Sequence, residues 1–293
     1  MTRVRLLGVP WAANGRTDGV ARGITALRSA GLVEALEDAG HDVADAGDLH
    51  LGPRRTDRDQ ASGLIDPAGL ASMVRAVGTA VSASPADGWL PVVVGGDCPV
   101  LLGAVGGVGA TGLVHVDGHE DAYPPSRSPT GSAADCEIAF ASGLAVMPGE
   151  PAGTPRTDLA HLAVVGPRDR PDLDRDGVAS IADRCLLLDD AAVRADPHGA
   201  AALAIGRAAD AAGGFWLHLD VDVLANDQIR AVRFPRAGGL RWDDLRVIVA
   251  AGLAQPRCRG WTITTFNPDL DQEVRDARRI VAFVAEALRA VPF

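Results

Sequence analysis

Asp117-Gly118-His119-Glu120-Asp121 follows the apolar run Gly112-Leu113-Val114-His115-Val116, and Asp220-Val221-Asp222 closes a second run, Phe215-Trp216-Leu217-His218-Leu219. On extended backbone alternate side chains point the same way, so Asp117, His119 and Asp121 face one point, as do Asp220 and Asp222. If the two runs are strands of one parallel sheet, four carboxylates and an imidazole converge. Like charges so close raise one another's pKa values and cannot all stay ionised without cations. A pair of divalent metal ions accounts for the set, and carboxylates with one imidazole suit Mn(II), Zn(II) or Fe(II). Singly, each motif also fits a polar turn whose Asp caps the next helix. The pairing of the two is what favours metal.

A third stretch, Gly95-Gly96-Asp97-Cys98-Pro99, follows Leu-Pro-Val-Val-Val. Its glycines permit a sharp strand-to-helix turn. Cys98 then stands at a helix start, where the helix dipole and a nearby metal stabilise a thiolate. A buried structural thiol is the plainer alternative. His115 and His218 each precede a motif aspartate by two residues, on the same strand face. They either orient those carboxylates or are satisfied core histidines. His41, His50, His161 and His198 have no motif context.

These motifs need a scaffold that brings strand ends together. Strand-like runs fall at 3–8, 41–46, 90–95, 112–117, 160–165, 184–188, 214–220 and 260–266. Helix-like segments lie near 20–39, 67–83, 99–107, 133–143, 189–212, 241–253 and 272–290. Repeated strand–helix units predict an α/β fold with a mostly parallel sheet covered on both faces. Residues 51–63, 122–131 and 225–239 read as loops. The last two follow the carboxylate motifs directly, at the edge where open α/β sheets bind ligands. Nothing marks a linker, so residues 1–293 are expected to form one domain.

Composition narrows the partners. The 293 residues carry a formal net charge of −10, and every basic side chain except histidine is arginine. That opposes nucleic-acid binding, and the absence of lysine removes Schiff-base chemistry. No stretch of 18 apolar residues predicts a membrane span, and the first residues read as strand rather than signal peptide. A cytoplasmic enzyme with a small-molecule substrate is expected. Cys98, Cys136, Cys185 and Cys258 are scattered and expected to be free thiols.

The three motifs resemble those of the arginase/agmatinase/formimidoylglutamase (ureohydrolase) family, written there Gly-Gly-Asp-His, Asp-Ala-His-x-Asp and Ser-x-Asp-x-Asp. Gly8-Val9-Pro10, Gly19-Val20-Ala21-Arg22-Gly23 through Leu27-Arg28, Gly166-Pro167-Arg168-Asp169 and Phe266-Asn267-Pro268 are similar to further family segments. The resemblance spans nearly the whole chain. It implies a three-layer α/β/α fold and two bridged Mn(II) ions whose bound hydroxide attacks a guanidine carbon. Carried over, Asp117 and Asp220 bridge both ions, Asp121 and Cys98 complete one, and His119 and Asp222 complete the other. Asp222 and Asp121 are the candidate proton carriers, and Ser132, Asp169 and Thr265 the candidate substrate contacts. The family commonly forms trimers or hexamers, so a homo-oligomer is expected.

The departures bear on substrate. Cys98 replaces a histidine ligand, and thiolate shifts preference toward Zn(II) or Fe(II). Cysteine here also occurs in a branch acting on N-hydroxy-arginine. Thr265 stands where the family has a glutamate for the guanidinium, Ala134 where arginases have a proton-shuttling histidine, and Ala225-Asn226 where Asp-Pro is usual. Strict arginase activity is therefore disfavoured. Loop or helix-cap duty is the simpler reading of Glu120, Ser132, Asp135 and Glu137. Three functions stay open: a hydrolase of guanidine-, hydroxyguanidine- or amidine-like molecules, a metal-binding pseudoenzyme, and an amidinotransferase or hydrolase using Cys98 as nucleophile.

Overall fold

The computed structural model describes residues 2–84, 87–150, 154 and 156–292. Eight strands form one sheet: β1 Arg3–Val9, β2 Asp42–Asp48, β3 Leu90–Gly95, β4 Gly112–Val116, β5 Leu162–Val165, β6 Leu186–Leu188, β7 Phe215–Asp220 and β8 Cys258–Thr264. Their order is β2-β1-β3-β8-β7-β4-β5-β6, and every pairing is parallel. All carboxyl ends therefore share one edge.

Side-chain alternation divides the core between the two faces. Val4, Leu6, Val92, Val94, Val114, Val116, Phe215, Leu217 and Leu219 pack on one side, against helices Gly23–Ser29, Leu32–Asp38, Pro197–Ala209, Trp242–Leu253 and Arg275–Ala287. Leu7, Val9, Val93, Leu113, Val164 and Trp216 pack on the other, against helices Pro67–Ser82, Val100–Val108 and Glu137–Ala141. This is the expected three-layer α/β/α arrangement. Among the described residues no helix is long and apolar enough to cross a membrane.

Each expected strand exists, with ends displaced by at most two residues. The helices need more correction. The segment 20–39 breaks at Gly31, whose φ of 90° is left-handed. The segment 189–212 breaks at Asp196-Pro197, where the Asp196 carboxylate accepts from Gly199 N at 2.9 Å and starts a new helix. The segment 133–143 shortens to Glu137–Ala141 behind one 3₁₀ turn. Helix Arg170–Asp176 was not expected, because it is short and mostly charged. Pro171 in its first turn and Gly177 at its end were the available signals.

The chain lays down β1, β2 and β3, jumps across to β4, β5 and β6, then returns to fill the gap with β7 and β8. The reversal leaves a crevice at the carboxyl ends of the central strands, where sheets of this kind bind ligands.

Candidate metal centre

Adjacent strands β3, β8, β7 and β4 deliver the motifs to that crevice. Cys98 follows β3, Thr265 follows β8, Asp220 ends β7 and Asp117 follows β4. Register does the alignment: His115 pairs with His218 across β4 and β7, and Asp220 with Thr264 across β7 and β8. The turn after β3 is built for close approach. A Cβ on Gly96 would lie 2.0 Å from the Trp11 carbonyl oxygen. Asp97 clamps the same turn, accepting from Ala13 N at 2.9 Å and Cys98 N at 3.2 Å. In the second motif a Cβ on Gly118 would meet Arg168 Nη1 at 2.6 Å and Asp222 Oδ1 at 2.9 Å.

The outer half of the site centres on His119. Its Nδ1 lies 3.4 Å from Asp117 Oδ1 and 3.3 Å from Asp222 Oδ2. Asp222 N donates to Asp220 Oδ1 at 2.6 Å, and Gly118 N to Asp222 Oδ1 at 3.3 Å. Cys98 Sγ donates to Asp220 Oδ2 at 2.9 Å and lies 3.9 Å from Asp117 Oδ2. Ligand atoms within 4.8 Å of one another form three groups among the described residues. They are Asp117–His119–Asp222, Cys98–Asp117–His218 and His115–Asp117–Asp121–Glu137, so Asp117 belongs to all three. Cys98 and Asp121 share no group, although the resemblance assigns them one ion.

Glu137 departs from its expected loop or cap role. It is fully buried and faces Asp121, and that carboxyl is the side-chain hydrogen-bond neighbour of its carboxylate among the described residues. His115 and His218 are also fully buried and stack at 5.0 Å. His218 Nδ1 meets Thr262 Oγ1 at 2.7 Å, while His218 Nε2 and both His115 nitrogens lack partners among the described residues. Glu120 does turn away, its carboxylate accepting from Ser180 Oγ at 2.7 Å and Ile181 N at 2.9 Å. Asp135 organises its own loop, accepting from Ser128 Oγ at 2.5 Å and Thr130 Oγ1 at 2.7 Å.

The electrostatics describe a place built for positive charge. Burial and then neighbouring carboxylates push Asp121 and Asp220 well above the usual range. Burial and Asp222 bring Asp117 to about 6. Burial disfavours the His119 imidazolium, but Asp222 and Asp117 outweigh it and hold its pKa well above the ordinary value. Asp222 is shifted down, the charge of His119 overcoming burial. Burial keeps His115 neutral, with a pKa lowered to about 3, and, with His115 beside it, holds His218 well below its ordinary range. The expected Cys98 thiolate depends on the helix start and a nearby metal together, and without metal the thiol form is favoured. Burial, then Asp220 and Asp117, push the thiol far up. A buried thiol of that kind is a poor nucleophile, and only a cation reverses the shift.

A cavity of about 450 Å³ opens onto this cluster, lined in part by Cys98, His119, Asp121, Asp220, Asp222 and Thr265. Thr265 spends its hydroxyl on Asp220 Oδ1 and adopts a left-handed φ of 66°. Asp169 lines the wall, accepts from Glu120 N at 3.1 Å, and keeps Oδ1 without a partner among the described residues. Ser132 lines the wall and caps its turn by accepting from Ala134 N at 3.2 Å. Arg236 was missed in the sequence. It pairs with Asp172 and places Nε 3.1 Å from His119 Nε2. That bond requires an unprotonated Nε2, which sets Arg236 against the imidazolium that the carboxylates favour. The arginines of 225–239, directly after the third motif, were the signal. Arg168 spans the motifs, donating to the Asp222 carbonyl at 2.7 Å.

Comparison with known proteins supports the same picture. The family model described as "Arginase family" matches residues 2–289. The arginase of Brevibacillus brevis is 26% identical over 290 residues, covering 96% of this chain and 95% of that one. The arginase of Bacillus caldovelox is 28% identical over 179 residues, 57% of this chain and 58% of its own length. Among solved structures, Bacillus cereus arginase superposes with a TM-score of 0.84 at 22% identity, covering 98% of both chains. The proclavaminate amidino hydrolase of Streptomyces clavuligerus gives 0.71 at 17% identity, covering 99% of this chain and 91% of that one.

Proposed function

The chain belongs to the arginase family, whose members are metal-dependent hydrolases of guanidino and amidino C–N bonds, and on that premise we propose that it hydrolyses such a bond in a small molecule at two divalent cations. The proposed ligands are Cys98, Asp117, His119, Asp121, Asp220 and Asp222. One observation carries the reading: buried carboxylates, an imidazole and a thiol meet at central strand ends, with Asp117 common to every donor group. The donor set suits the cations, because three of the four carboxylates, Asp117, Asp121 and Asp220, are otherwise pushed toward protonation by burial and by their neighbours.

When bound, the cations would activate water as Lewis acids and stabilise the negative charge on its oxygen. The chain's own groups do the rest. Asp117 and Asp220 would supply carboxylate oxygens to the cations. Asp222 Oδ2, beside the cavity, accepts the proton released by the attacking water and returns it to the leaving nitrogen, with Asp121 as the second acid. Thr265 fixes the Asp220 carboxylate, and the free Asp169 Oδ1 takes an N–H of the substrate. Mn(II) follows from the family; the sulfur ligand favours Zn(II) or Fe(II). The proposal takes residues 1–293 as one domain of a cytoplasmic homo-oligomer, to be checked by gel filtration and cell fractionation.

A hydroxyguanidine is the favoured substrate within this class. With its hydroxyl committed to Asp220, Thr265 gives no charge partner to a guanidinium. A neutral N-hydroxyguanidine of the N-hydroxy-arginine type loses less there. The test is a panel of guanidines, hydroxyguanidines and formimino compounds with the Mn(II)-loaded protein, assayed for urea, hydroxyurea and amine products. Turnover that disappears on chelation supports the proposal; no turnover of any compound with ions bound favours a pseudoenzyme.

A further inference from the structure

Glu137 has no part in the motif ligands, yet it lies inside their centre. It opens helix Glu137–Ala141, which packs on the sheet face that also carries His115. The placement is costly. Its side-chain neighbour is another buried carboxyl, Asp121, and without a cation the two can coexist there only by sharing a proton. His115 is costly there too, since its ring is fully buried and neither nitrogen is partnered among the described residues. Its Nε2 lies 3.4 Å from Asp117 Oδ2 and 3.9 Å from Asp121 Oδ2. Ligand atoms of His115, Asp117, Asp121 and Glu137 all lie within 4.8 Å of one another, and Cys98 is not among them.

A carboxyl whose neighbour is another carboxyl, and a buried imidazole with neither nitrogen hydrogen-bonded among the described residues, meet the same two aspartates within ligand reach. We infer that Glu137 and His115 are ligands of the cation that Asp121 holds, an inference that rests on the two-cation reading above. Three carboxylates and an imidazole form a hard, oxygen-rich donor set suited to Mn(II) or Fe(II). Glu137 thereby makes up on this side for the thiol of Cys98, which groups instead with Asp117 and His218.

The experiment is metal titration of the chelator-stripped wild type and Glu137→Gln with Mn(II), paired with a Mn(II)-soaked crystal of the wild type. Glutamine keeps the shape and removes the charge. The wild type is expected to bind two ions. In the variant one site weakens by about tenfold or more, a usual cost of a lost metal contact, while the other holds. The Mn(II)-induced rise in melting temperature shrinks accordingly, which a purely structural glutamate would leave unchanged. The crystal needs no variant to fold: an ion within roughly 2.0–2.4 Å of a Glu137 oxygen supports the inference. Two unaltered sites in the variant, or an Asp121-bound ion out of reach of Glu137, overturn it alone. A wild type that binds no ion overturns the proposed function and this inference together.

Discussion

Asp117→Asn separates what the centre costs without metal from what it gains with it. Burial and Asp222 raise Asp117 from 3.8 to about 6. A carboxyl whose folded pKa is raised favours folding only while protonated, so its contribution falls as pH rises from about 4 through 6. By pH 8 the ionised Asp117 costs the metal-free protein about 3 kcal/mol. Asparagine escapes that cost and keeps an oxygen for His119 N, which now donates to Asp117 Oδ1 at 2.8 Å. In chelator at pH 8 the variant should therefore melt about 5 °C above the wild type. At pH 4 the gap should shrink to under about 1 kcal/mol. With Mn(II) the order should invert. An ion at a hundredfold its dissociation constant adds about 2.7 kcal/mol, and the variant lacks the carboxylate shared by all three donor groups. Calorimetry at both pH values, with and without Mn(II), reads each arm. A metal-free variant less stable than wild type at pH 8, or an equal Mn(II) effect on both proteins, would refute the reasoning.

Other perturbations test other parts. Cys98 should resist alkylation while metal is bound and react after chelation, and Cys98→His should retain metal and shift preference toward Mn(II); equal labelling with and without metal removes Cys98 from the ligand set. Unmodified arginine should be turned over about ten- to a hundredfold less efficiently than a hydroxyguanidine analogue, the worth of one charge-assisted contact. Efficient arginine hydrolysis would show that Thr265 had been given too much weight. His115 is held neutral down to about 3, so its contribution is present above the ordinary pKa of 6.5 and is lost as pH falls toward 3. His115→Asn should then flatten the acid side of the metal-free stability curve, and an unchanged acid limb counts against a buried neutral ring. Gly96→Ala drives a methyl into the Trp11 carbonyl and should cost about 2 kcal/mol or more in chemical denaturation; a neutral effect would mean that the turn yields.

Much of this was legible because two periodicities coincide. Alternation within Asp117-x-His119-x-Asp121 and Asp220-x-Asp222 states which side chains share a direction, and runs such as Leu113–Val116 and Trp216–Leu219 state that their strands are buried. Together they placed the crevice without coordinates. The hidden parts depend on contacts that no local pattern encodes. Glu137 looked like a helix-start residue, and its burial beside Asp121 follows from how its short helix packs on the sheet. Arg236 reaches His119 across 117 residues of sequence from a Pro- and Gly-rich loop. Thr265 was identified by position, but that its hydroxyl serves Asp220 required the β7–β8 register. The negative charge of Asp220 and Asp117 around Cys98 likewise comes from strands far away in sequence.

The most direct measurement of the central claim is elemental analysis of the protein purified from Mn-supplemented medium, taken together with its activity before and after chelation. Close to two divalent ions per chain are predicted, with hydrolysis abolished by chelator, restored by Mn(II), and lost in Asp117→Asn. No bound ion, with Asp117→Asn folded and as active as the wild type, would contradict the account.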